Sequence, residues 1–302
     1  MVFGGYFLII VRQTESSVQK IMVHLQHWIP LLALFCVTMC AWDVSATTPE
    51  VVHTADTPTT LQPPRITVNI AARRLYLYDE RAALVKTYPV AVGSPRYRTP
   101  IRAQAMRTIV WNAWWMPPPS PWAQHDKPTP PGKHNPLGNI KMPIGASLML
   151  HGTNKPRSIG TAASHGCIRM FTQDAWELAR WLQSHSTTPQ SDAMFKEYES
   201  NRQRSVSVQL GSTIPVDLVY DYVEIRADQL HVYHDIYARI GDKWAHIMQT
   251  LAAHGYTADS IDQVALQQRL KDAKFRDAVI ALTEIRRQPP LQQPLASHIV
   301  EK

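Results

Sequence analysis

The amino-acid sequence predicts a mainly β domain with one packed helix, followed by a helical C-terminal extension. Several short segments alternate apolar and polar residues, which is the period of a half-buried strand. One later segment repeats its apolar residues at the spacing of a helix face. The chain has 302 residues, of which 45% are hydrophobic and 18% are charged. This composition is typical of globular proteins and excludes collagen-like, coiled-coil and fully disordered chains.

The N-terminal residues predict export. An almost wholly apolar run fills residues 28–42 and is followed by Val44–Ser45–Ala46. The run is shorter than the roughly 20 residues that a transmembrane helix needs, and a small residue before the cut is typical of a signal-peptidase site. We therefore predict a signal peptide over residues 1–46 and a periplasmic location. An uncleaved N-terminal membrane anchor is the alternative.

The cysteine count points to a functional thiol. The three cysteines are Cys36, Cys40 and Cys167, and the first two lie in the predicted signal peptide. The mature chain then has a single cysteine and forms no internal disulfide. A lone thiol in an oxidising compartment is expected to be buried or to have a chemical role.

The elements of the β domain follow a linker at residues 47–65 that is rich in Thr and Pro. The predicted strands are residues 66–70, 74–78, 87–92, 147–150, 205–210 and 214–219. Gly211–Ser212 is predicted to join the last two strands. The helix begins at Thr172, whose hydroxyl can cap it, with Asp174 in the first turn. Its apolar face consists of Ala175, Leu178, Ala179 and Leu182.

Two stretches of the β domain are predicted to be insertions. Residues 184–204 are polar and charged, whereas residues 111–136 are rich in proline and tryptophan. The second stretch suits either a lid that faces the substrate or aromatic packing in the core. We favour core packing for at least half of its tryptophans, which are Trp111, Trp114, Trp115 and Trp122.

The C-terminal part is predicted to be a hairpin followed by helices. The predicted boundaries are residues 66–220 for the β domain, 221–240 for the hairpin and 241–302 for the helical extension. Ala227–Asp228 is expected at the hairpin turn, and a first helix is expected to end at His254–Gly255. A second helix is predicted to begin at the capping box of residues 260–263 and to continue to about Arg286.

Charge and glycine content restrict the function classes. There are 31 Lys and Arg against 24 Asp and Glu, which gives a net charge of +7. A basic surface suits nucleic acid, an anionic membrane or cell-wall polymer, without deciding among them. Glycine is scarce at 12 residues, and no glycine-rich phosphate-binding string is present, which argues against a nucleotide-binding fold.

Residues 151–170 hold the groups that can do chemistry. This segment reads HGTNKPRSIGTAASHGCIRM. A thiol needs a base or a positive field to become a reactive thiolate. His151 closes a predicted strand and can serve as that base. Cys167 is predicted in a turn just before the helix, whose N-terminus would lower the pKa of the thiol.

Neighbouring residues could complete the site. Ser164, Gly166 and the backbone N–H groups near Cys167 are candidates for an oxyanion hole. Arg169 can bind a carboxylate or fix the loop through a salt bridge.

Two alternatives give Cys167 another role. It could be a buried structural cysteine, or it could belong to a zinc site. The zinc ligands would be His134, His151, His165 and Cys167. The H-x-C spacing is unlike that of common zinc pairs, so we expect neither a metal ion nor an organic cofactor.

At these residues the sequence resembles the L,D-transpeptidase family, whose catalytic domain is of the YkuD type. The resemblance is carried by residues 151–154 (HGTN) and 164–169 (SHGCIR). Residues 135–138 (NPLG) and Thr99–Pro100 also resemble family blocks, although the glycine and phenylalanine that usually follow the Thr-Pro pair are absent. The resemblance covers about residues 66–220 and implies a β-sandwich.

The resemblance implies a reaction on peptidoglycan stem tetrapeptides. Cys167 would be the nucleophile and would form a thioester as D-alanine leaves. His151 would be the acid/base, oriented by the backbone carbonyl of Gly152. His165 would shape the oxyanion region, and Arg169 is the family's basic residue after the cysteine. The remaining binding residues would be Ser164, Gly166 and Asn154.

The acceptor would decide the product. The amine of a second stem would give a 3→3 cross-link, and a lysine of an outer-membrane lipoprotein would tether the wall to that membrane. Water would give L,D-carboxypeptidase activity. A hydrolytic enzyme and an inactive wall-binding scaffold are therefore the alternatives, and no nucleic-acid partner is expected.

Overall fold

The structure is a computed structural model that describes residues 62–145, 147–186, 191–273 and 276–287. Strands predominate and helices accompany them, which confirms the predicted fold class. The predicted signal peptide, the linker up to residue 61 and the chain after residue 287 lie outside the described residues. None of the described helices combines the length and the hydropathy needed to cross a bilayer.

Nine strands form one sheet that closes on itself. They are β1 (Arg65–Asn69), β2 (Arg74–Tyr78), β3 (Leu84–Gly93), β4 (Arg102–Trp111), β5 (Ile140–Pro143), β6 (Met149–His151), β7 (Ala162–Ser164), β8 (Ile168–Met170) and β9 (Val206–Val219). Their order is β2-β1-β9-β4-β5-β6-β8-β3-β7, and β2 also pairs with β3. This extra pairing closes a ring, and β7 flanks it. Opposite sides of the ring face each other across one core, as the two layers of a sandwich do.

Helix α1 (Thr172–Ser186) covers the strands that carry the site. It contacts β5, β6, β8 and β9. Its predicted apolar face is buried and belongs to the same core as the sheet. The predicted helix and its apolar face are therefore confirmed, whereas the hydroxyl of Thr172 donates to the carbonyl of Thr153 at 3.2 Å rather than capping the helix. The helix fixes the two strands on which the candidate residues lie.

A second helix, α2 (Asp192–Ser200), occupies the stretch that we expected to be a polar insertion. Its Phe195 and Tyr198 are buried, with ring centroids 5.8 and 5.2 Å from that of Trp111. The indole N–H of Trp111 donates to Gln183 Oε1 at 2.7 Å. The polar composition concealed this helix because only two of its 9 residues are buried.

The pairing of β4 with β9 explains two further differences. β9 is one strand of 14 residues rather than two strands joined by Gly211–Ser212. The β4–β9 register shifts between Met106 and Thr108, so the residues around Gly211 are accommodated as an irregularity within the strand. The same shift interrupts the alternation of buried and exposed residues in β4, because the buried residues Met106 and Ile109 are three positions apart. The sequence therefore does not show the period of a strand at β4.

The C-terminal extension contains a sheet of three strands. β10 (Val223–Arg226) and β11 (Gln229–Val232) form the predicted hairpin. Ala227 and Asp228 have φ of 48° and 58° at its turn, as a two-residue hairpin loop of type I′ requires. A third strand, β12 (Ala278–Ala281), pairs with β11.

Three helices pack on this small sheet. They are α3 (Lys243–Ala253), α4 (Gln263–Ala273) and α5 (Leu282–Ile285). α3 confirms the first predicted C-terminal helix. The second predicted helix, from residues 260–263 to Arg286, is wrong in extent. Asp262 accepts the N–H groups of the first turn at 3.0 and 3.1 Å, and α4 ends at Ala273. The chain beyond it forms β12 because β11 offers a free edge.

Candidate active site

Two neighbouring parallel strands place His151 and Cys167. β6 ends at His151, and β8 begins directly after Cys167. The register pairs His151 with Arg169. Side chains alternate between the two faces of a strand, so Arg169 and Cys167 share the face of His151. All three residues line one cavity.

The carbonyl of Gly152 fixes the ring of His151. The Nδ1 atom of His151 lies 2.5 Å from this oxygen. A carbonyl only accepts hydrogen bonds, so Nδ1 carries the proton and Nε2 keeps its lone pair. Burial lowers the pKa of His151 to about 4; the hydrogen bond to Gly152 opposes the decrease and the charge of Arg169 adds to it. At neutral pH the ring is therefore an uncharged base.

Cys167 is a neutral thiol in this site. Its S–H donates to the carbonyl of Ser147 at 3.7 Å. Burial raises the pKa of Cys167, while the N–H of Met149 and the charges of Arg169 and Lys141 oppose the rise. The predicted lowering of this pKa is therefore wrong. Strand β8 separates the thiol from α1, and the effect of a helix N-terminus falls off within its first turn.

The turn from Ser164 to Cys167 leaves two backbone donors free. Ser164 Oγ donates to the carbonyl of Cys167 at 2.6 Å and accepts the N–H of Gly166 at 3.0 Å. Gly166 has a φ of 112°, a conformation that favours glycine. The N–H groups of His165 and Cys167 have no acceptor among the described residues. These two groups, rather than Ser164 and Gly166, are the available oxyanion donors.

The ring of His165 packs between two aromatic rings. It stacks on Trp122 with centroids 4.0 Å apart and planes 3° apart. It meets Tyr97 edge-on at 4.7 Å. The ring of His165 therefore holds Trp122 next to the site, while its backbone N–H is one of the free donors of the turn.

The tryptophan segment forms a lid, which we define as residues 114–130. Only Trp111, which precedes the lid, is buried in the core. Trp114, Trp115 and Trp122 line the cavity. Core packing, the interpretation that we favoured, is therefore wrong for three of the four tryptophans, and the lid interpretation fits them better.

Asn135 ties the lid to the site. Its buried side-chain amide donates to three backbone carbonyls at 2.9, 3.1 and 3.1 Å, those of Ala113, Thr129 and Pro130. Three residues later, Gly138 passes close to Gly152: a Cβ on Gly152 would lie 3.0 Å from the oxygen of Gly138. The NPLG block therefore supports both the lid and the carbonyl that orients His151.

Thr99 supports the opposite side of the turn. Its Oγ1 donates to the carbonyl of Gly166 at 2.8 Å and accepts the N–H of Gly93 at 2.8 Å. Arg102 and Gln104 stand where the family pattern has glycine and phenylalanine. Arg102 lines the cavity, so the departure from the pattern adds a cation to the cavity wall.

The cavity has a volume of about 1340 Å³ and is strongly cationic. Its basic residues are Arg96, Arg98, Arg102, Lys127, Lys141, Lys155 and Arg169. Asp126 is the one acidic residue among the described residues that line it. Within the same described part of the chain, none of these seven cations forms an ion pair. A cleft lined by charges of one sign concentrates ligands of the opposite sign.

Asn154 lines the cavity, and its side-chain amide donates to the carbonyl of His134 at 2.8 Å. Over residues 62–145, 147–186, 191–273 and 276–287, no group of three or more His, Cys, Asp or Glu side chains is arranged to hold a metal ion. The ligand set of the zinc alternative is therefore not assembled in the described chain.

Comparison with known proteins finds a family model described as an L,D-transpeptidase catalytic domain, YkuD, that matches residues 63–216. A relative named YkuD from Bacillus licheniformis is 40% identical over 118 residues, which are 39% of this chain and 59% of that protein. A relative named ErfK/SrfK from Escherichia coli is 32% identical over 123 residues, 36% of this chain and 38% of that protein. Both names include L,D-transpeptidase. The matches thus span less than two thirds of the length of these relatives.

Among solved structures, an L,D-transpeptidase from Mycobacterium tuberculosis is 15% identical, with a TM-score of 0.33. The alignment covers 52% of this chain and 57% of that one.

Proposed function

Because the chain belongs to the L,D-transpeptidase catalytic-domain family, we propose that it is a cysteine-dependent L,D-transpeptidase of peptidoglycan stem tetrapeptides. The observation that carries the proposal is the arrangement of His151. Its Nδ1 is fixed on the carbonyl of Gly152 at 2.5 Å, and it shares a strand face with Cys167. We place the reaction in the periplasm, as the apolar N-terminal run suggests.

The first half-reaction forms a thioester. Nε2 of His151 takes the thiol proton while Sγ of Cys167 bonds to the carbonyl carbon of the third stem residue. The tetrahedral intermediate then collapses. The C–N bond to D-alanine breaks, and the imidazolium returns its proton to the departing amine. No charge separation precedes the attack, since both groups are neutral in the resting site.

The negative charge that develops on the carbonyl oxygen needs donors. The N–H groups of Cys167 and His165 can supply them, because neither is used within the described part of the fold. Arg169 lies two residues after Cys167 on the same face of the strand, where it adds a positive charge. Such preorganised donors act on the transition state more than on the ground state.

The second half-reaction resolves the thioester. His151 takes a proton from an acceptor amine, the amine nitrogen bonds to the acyl carbon, and the C–S bond breaks as the thiol is reprotonated. A stem amine gives a 3→3 cross-link, and a lipoprotein lysine gives an anchored lipoprotein. Water gives the hydrolytic alternative. All atoms in these steps come from the substrates and from Cys167 and His151, so we expect no metal ion or organic cofactor.

The charge of the cavity supports an anionic substrate. Stem peptides carry free carboxylates, and the cavity offers seven cations against a single carboxylate in its described lining. The lid adds apolar area, since Trp114 and Trp122 are 48% and 37% exposed. Cations and exposed aromatic rings together suit a charged peptide that carries bulky groups.

The deciding experiment is mass spectrometry on the purified protein mixed with a disaccharide-tetrapeptide, beside Cys167→Ala. We expect loss of D-alanine, a thioester on Cys167 and a dimeric 3→3 product, all absent from the variant. D-alanine loss that yields only tripeptide supports the hydrolytic alternative. An unreacted substrate with no acyl-enzyme overturns the enzymatic proposal and favours the wall-binding scaffold.

A competing amine separates transfer from hydrolysis. Adding a D-amino acid to the same mixture should give exchanged stems if the thioester is resolved by amines. Tripeptide as the sole product in the presence of that amine would favour the hydrolytic alternative.

A further inference from the structure

Tyr237 belongs to the C-terminal extension by sequence but to the nine-stranded sheet by packing. It lies between β11 and α3, and its side chain is 2% exposed. It belongs to the core of the large sheet, whereas the extension has a core of its own. Its ring stacks on that of Tyr220 with centroids 5.6 Å apart.

The hydroxyl of Tyr237 bridges the loop between β3 and β4. It donates to the carbonyl of Gly93 at 2.6 Å and accepts the N–H of Thr99 at 3.0 Å. The buried hydroxyl therefore has a partner both as a donor and as an acceptor. Removing the oxygen would leave a buried donor and a buried acceptor without partners, which is more disruptive than losing an exposed hydrogen bond.

Thr99 connects the loop that Tyr237 holds to the turn that contains Cys167. Its Oγ1 donates to the carbonyl of Gly166 at 2.8 Å. The carbonyl of Gly166 and the N–H of Cys167 belong to the same planar peptide unit. Fixing the carbonyl therefore also fixes the direction of the Cys167 N–H, which is a free oxyanion donor.

Tyr237 is itself held in place by an ionised carboxylate. The hydroxyl of Tyr220 accepts the N–H of Tyr237 at 3.0 Å and donates to Asp235 at 2.7 Å. The same carboxylate accepts the N–H groups of Arg239 and Ile240 at 2.9 and 3.0 Å. Burial alone would raise the pKa of Asp235, but these hydrogen bonds and a nearby lysine lower it below its ordinary value.

We propose that Tyr237 is a positioning residue that acts on Cys167 through Gly93, Thr99 and Gly166. The extension would then have a role in catalysis, although it contributes no described residue to the cavity lining. The catalytic part of this inference rests on the proposed function. The structural part does not, and the two are tested separately.

Amide hydrogen exchange of the whole protein tests the structural part. In Tyr237→Phe, the hydrogen-bonded amides of residues 93–99 and that of Gly166 should exchange about tenfold faster than in the wild type. Helices α3 and α4 should be unaffected. Tyr222→Phe is the matched control: Tyr222 is 7% exposed, and its hydroxyl has no partner among the described residues. Unchanged exchange of the amides of residues 93–99 and Gly166 would overturn the inference, and so would uniform acceleration along the whole chain.

Acylation kinetics test the catalytic part. We expect Tyr237→Phe to lower kcat about tenfold and to leave KM within about twofold. Thr99→Val should give a similar loss, and the double variant little more, because both changes interrupt the same path. Full additivity or an unchanged kcat would overturn the positioning role. If the wild type forms no acyl-enzyme, the proposed function fails, and the hydrogen-exchange comparison still decides whether Tyr237 holds the turn.

Discussion

His151 donates its Nδ1 proton to the backbone of the next residue, with 2.5 Å between the nitrogen and the carbonyl oxygen of Gly152. In many His-dependent sites a separate carboxylate orients the ring and stabilises its charged form. A neutral carbonyl orients the ring without adding a negative charge. The pKa of His151 is consequently set by burial, and this has consequences for the pH dependence of the protein.

The first prediction concerns the thiol in the absence of substrate. Burial raises the pKa of Cys167, so its alkylation by iodoacetamide should reach half its maximal rate at a higher pH than the roughly 8.5 of a free cysteine. The rate is measured as a function of pH by mass spectrometry, with Cys167→Ala to subtract other modification. Alkylation at pH 6 that is faster than that of free cysteine would contradict this and would restore the thiolate that the sequence led us to expect.

The second prediction concerns stability. The folded state holds the pKa of His151 at about 4, below the roughly 6.5 of an unfolded chain. Well above pH 6.5 the residue is neutral in both states. As the pH falls, the unfolded state binds the proton first, so the free energy of unfolding should be about 2 kcal/mol lower at pH 5 than at pH 7 from this residue alone.

Urea unfolding at the two pH values measures this effect. The pKa values of His165 and His231 are also lowered. The variant His151→Gln is therefore needed to isolate the contribution of His151 to the pH dependence. The pH difference should shrink in that variant. An equal difference in the wild type and in the variant would show that His151 is not held neutral.

The third prediction tests the close approach behind His151. A Cβ on Gly152 would lie 2.9 Å from the oxygen of Leu137, whereas one on Gly241 would meet nothing within 4 Å. Gly152→Ala should therefore lower the free energy of unfolding by about 2 kcal/mol, and Gly241→Ala should change it by less than about 0.5 kcal/mol. Chemical denaturation compares the two. Similar values for both variants would mean that the NPLG block does not confine this backbone.

The fourth prediction concerns the lid. Trp122 stacks on His165 at 4.0 Å, and such a pair contributes about 1 kcal/mol. Trp122→Ala and His165→Ala should each raise KM for the acyl donor about fivefold, and the double variant should match the stronger single one. Steady-state kinetics on the three proteins measures this. If the increases in KM of the two single variants multiplied in the double variant, the two rings would act independently and not through their stack.

The fifth prediction concerns charge. The cations that line the cavity have no ion-pair partners in the described chain. Salt screens their attraction for an anionic substrate, so raising its concentration from about 0.05 M to about 0.5 M should lower kcat/KM several-fold. The decrease should be smaller for a stem whose carboxylates are amidated. Equal salt dependence for both substrates would show that these cations do not act on the substrate carboxylates.

The sequence predicted the local elements of the fold where burial follows a regular period. β1, β2 and α1 are such elements. β4 was missed because the register shift after Met106 reverses which residues face the core. The local pattern of residues 278–281 predicts helix rather than strand, because the strand that pairs with β12 is β11, which lies about fifty residues away in sequence.

For the candidate site, the sequence predicts which residues come together but not their electrostatics. Motif spacing indicated His151 and Cys167, since their types and order are visible in the sequence. The raised pKa of Cys167 depends on burial and on strand β8, which intervenes before α1. Tyr237 could not be found at all, because its hydroxyl reaches residues separated from it by 138 and 144 positions.

Closure of the large sheet also limits how copies of this protein can associate. In the described chain the terminal strand of that sheet is β7, which has only 3 residues. The longest strand, β9, pairs with β4 on one side, but β1 covers its other side only at residues 216–219. Long open edges are the templates on which aggregation through strand pairing begins. Closure therefore leaves residues 206–215 of β9 with a single strand neighbour in the described chain, so strand pairing between copies would begin on that side of β9.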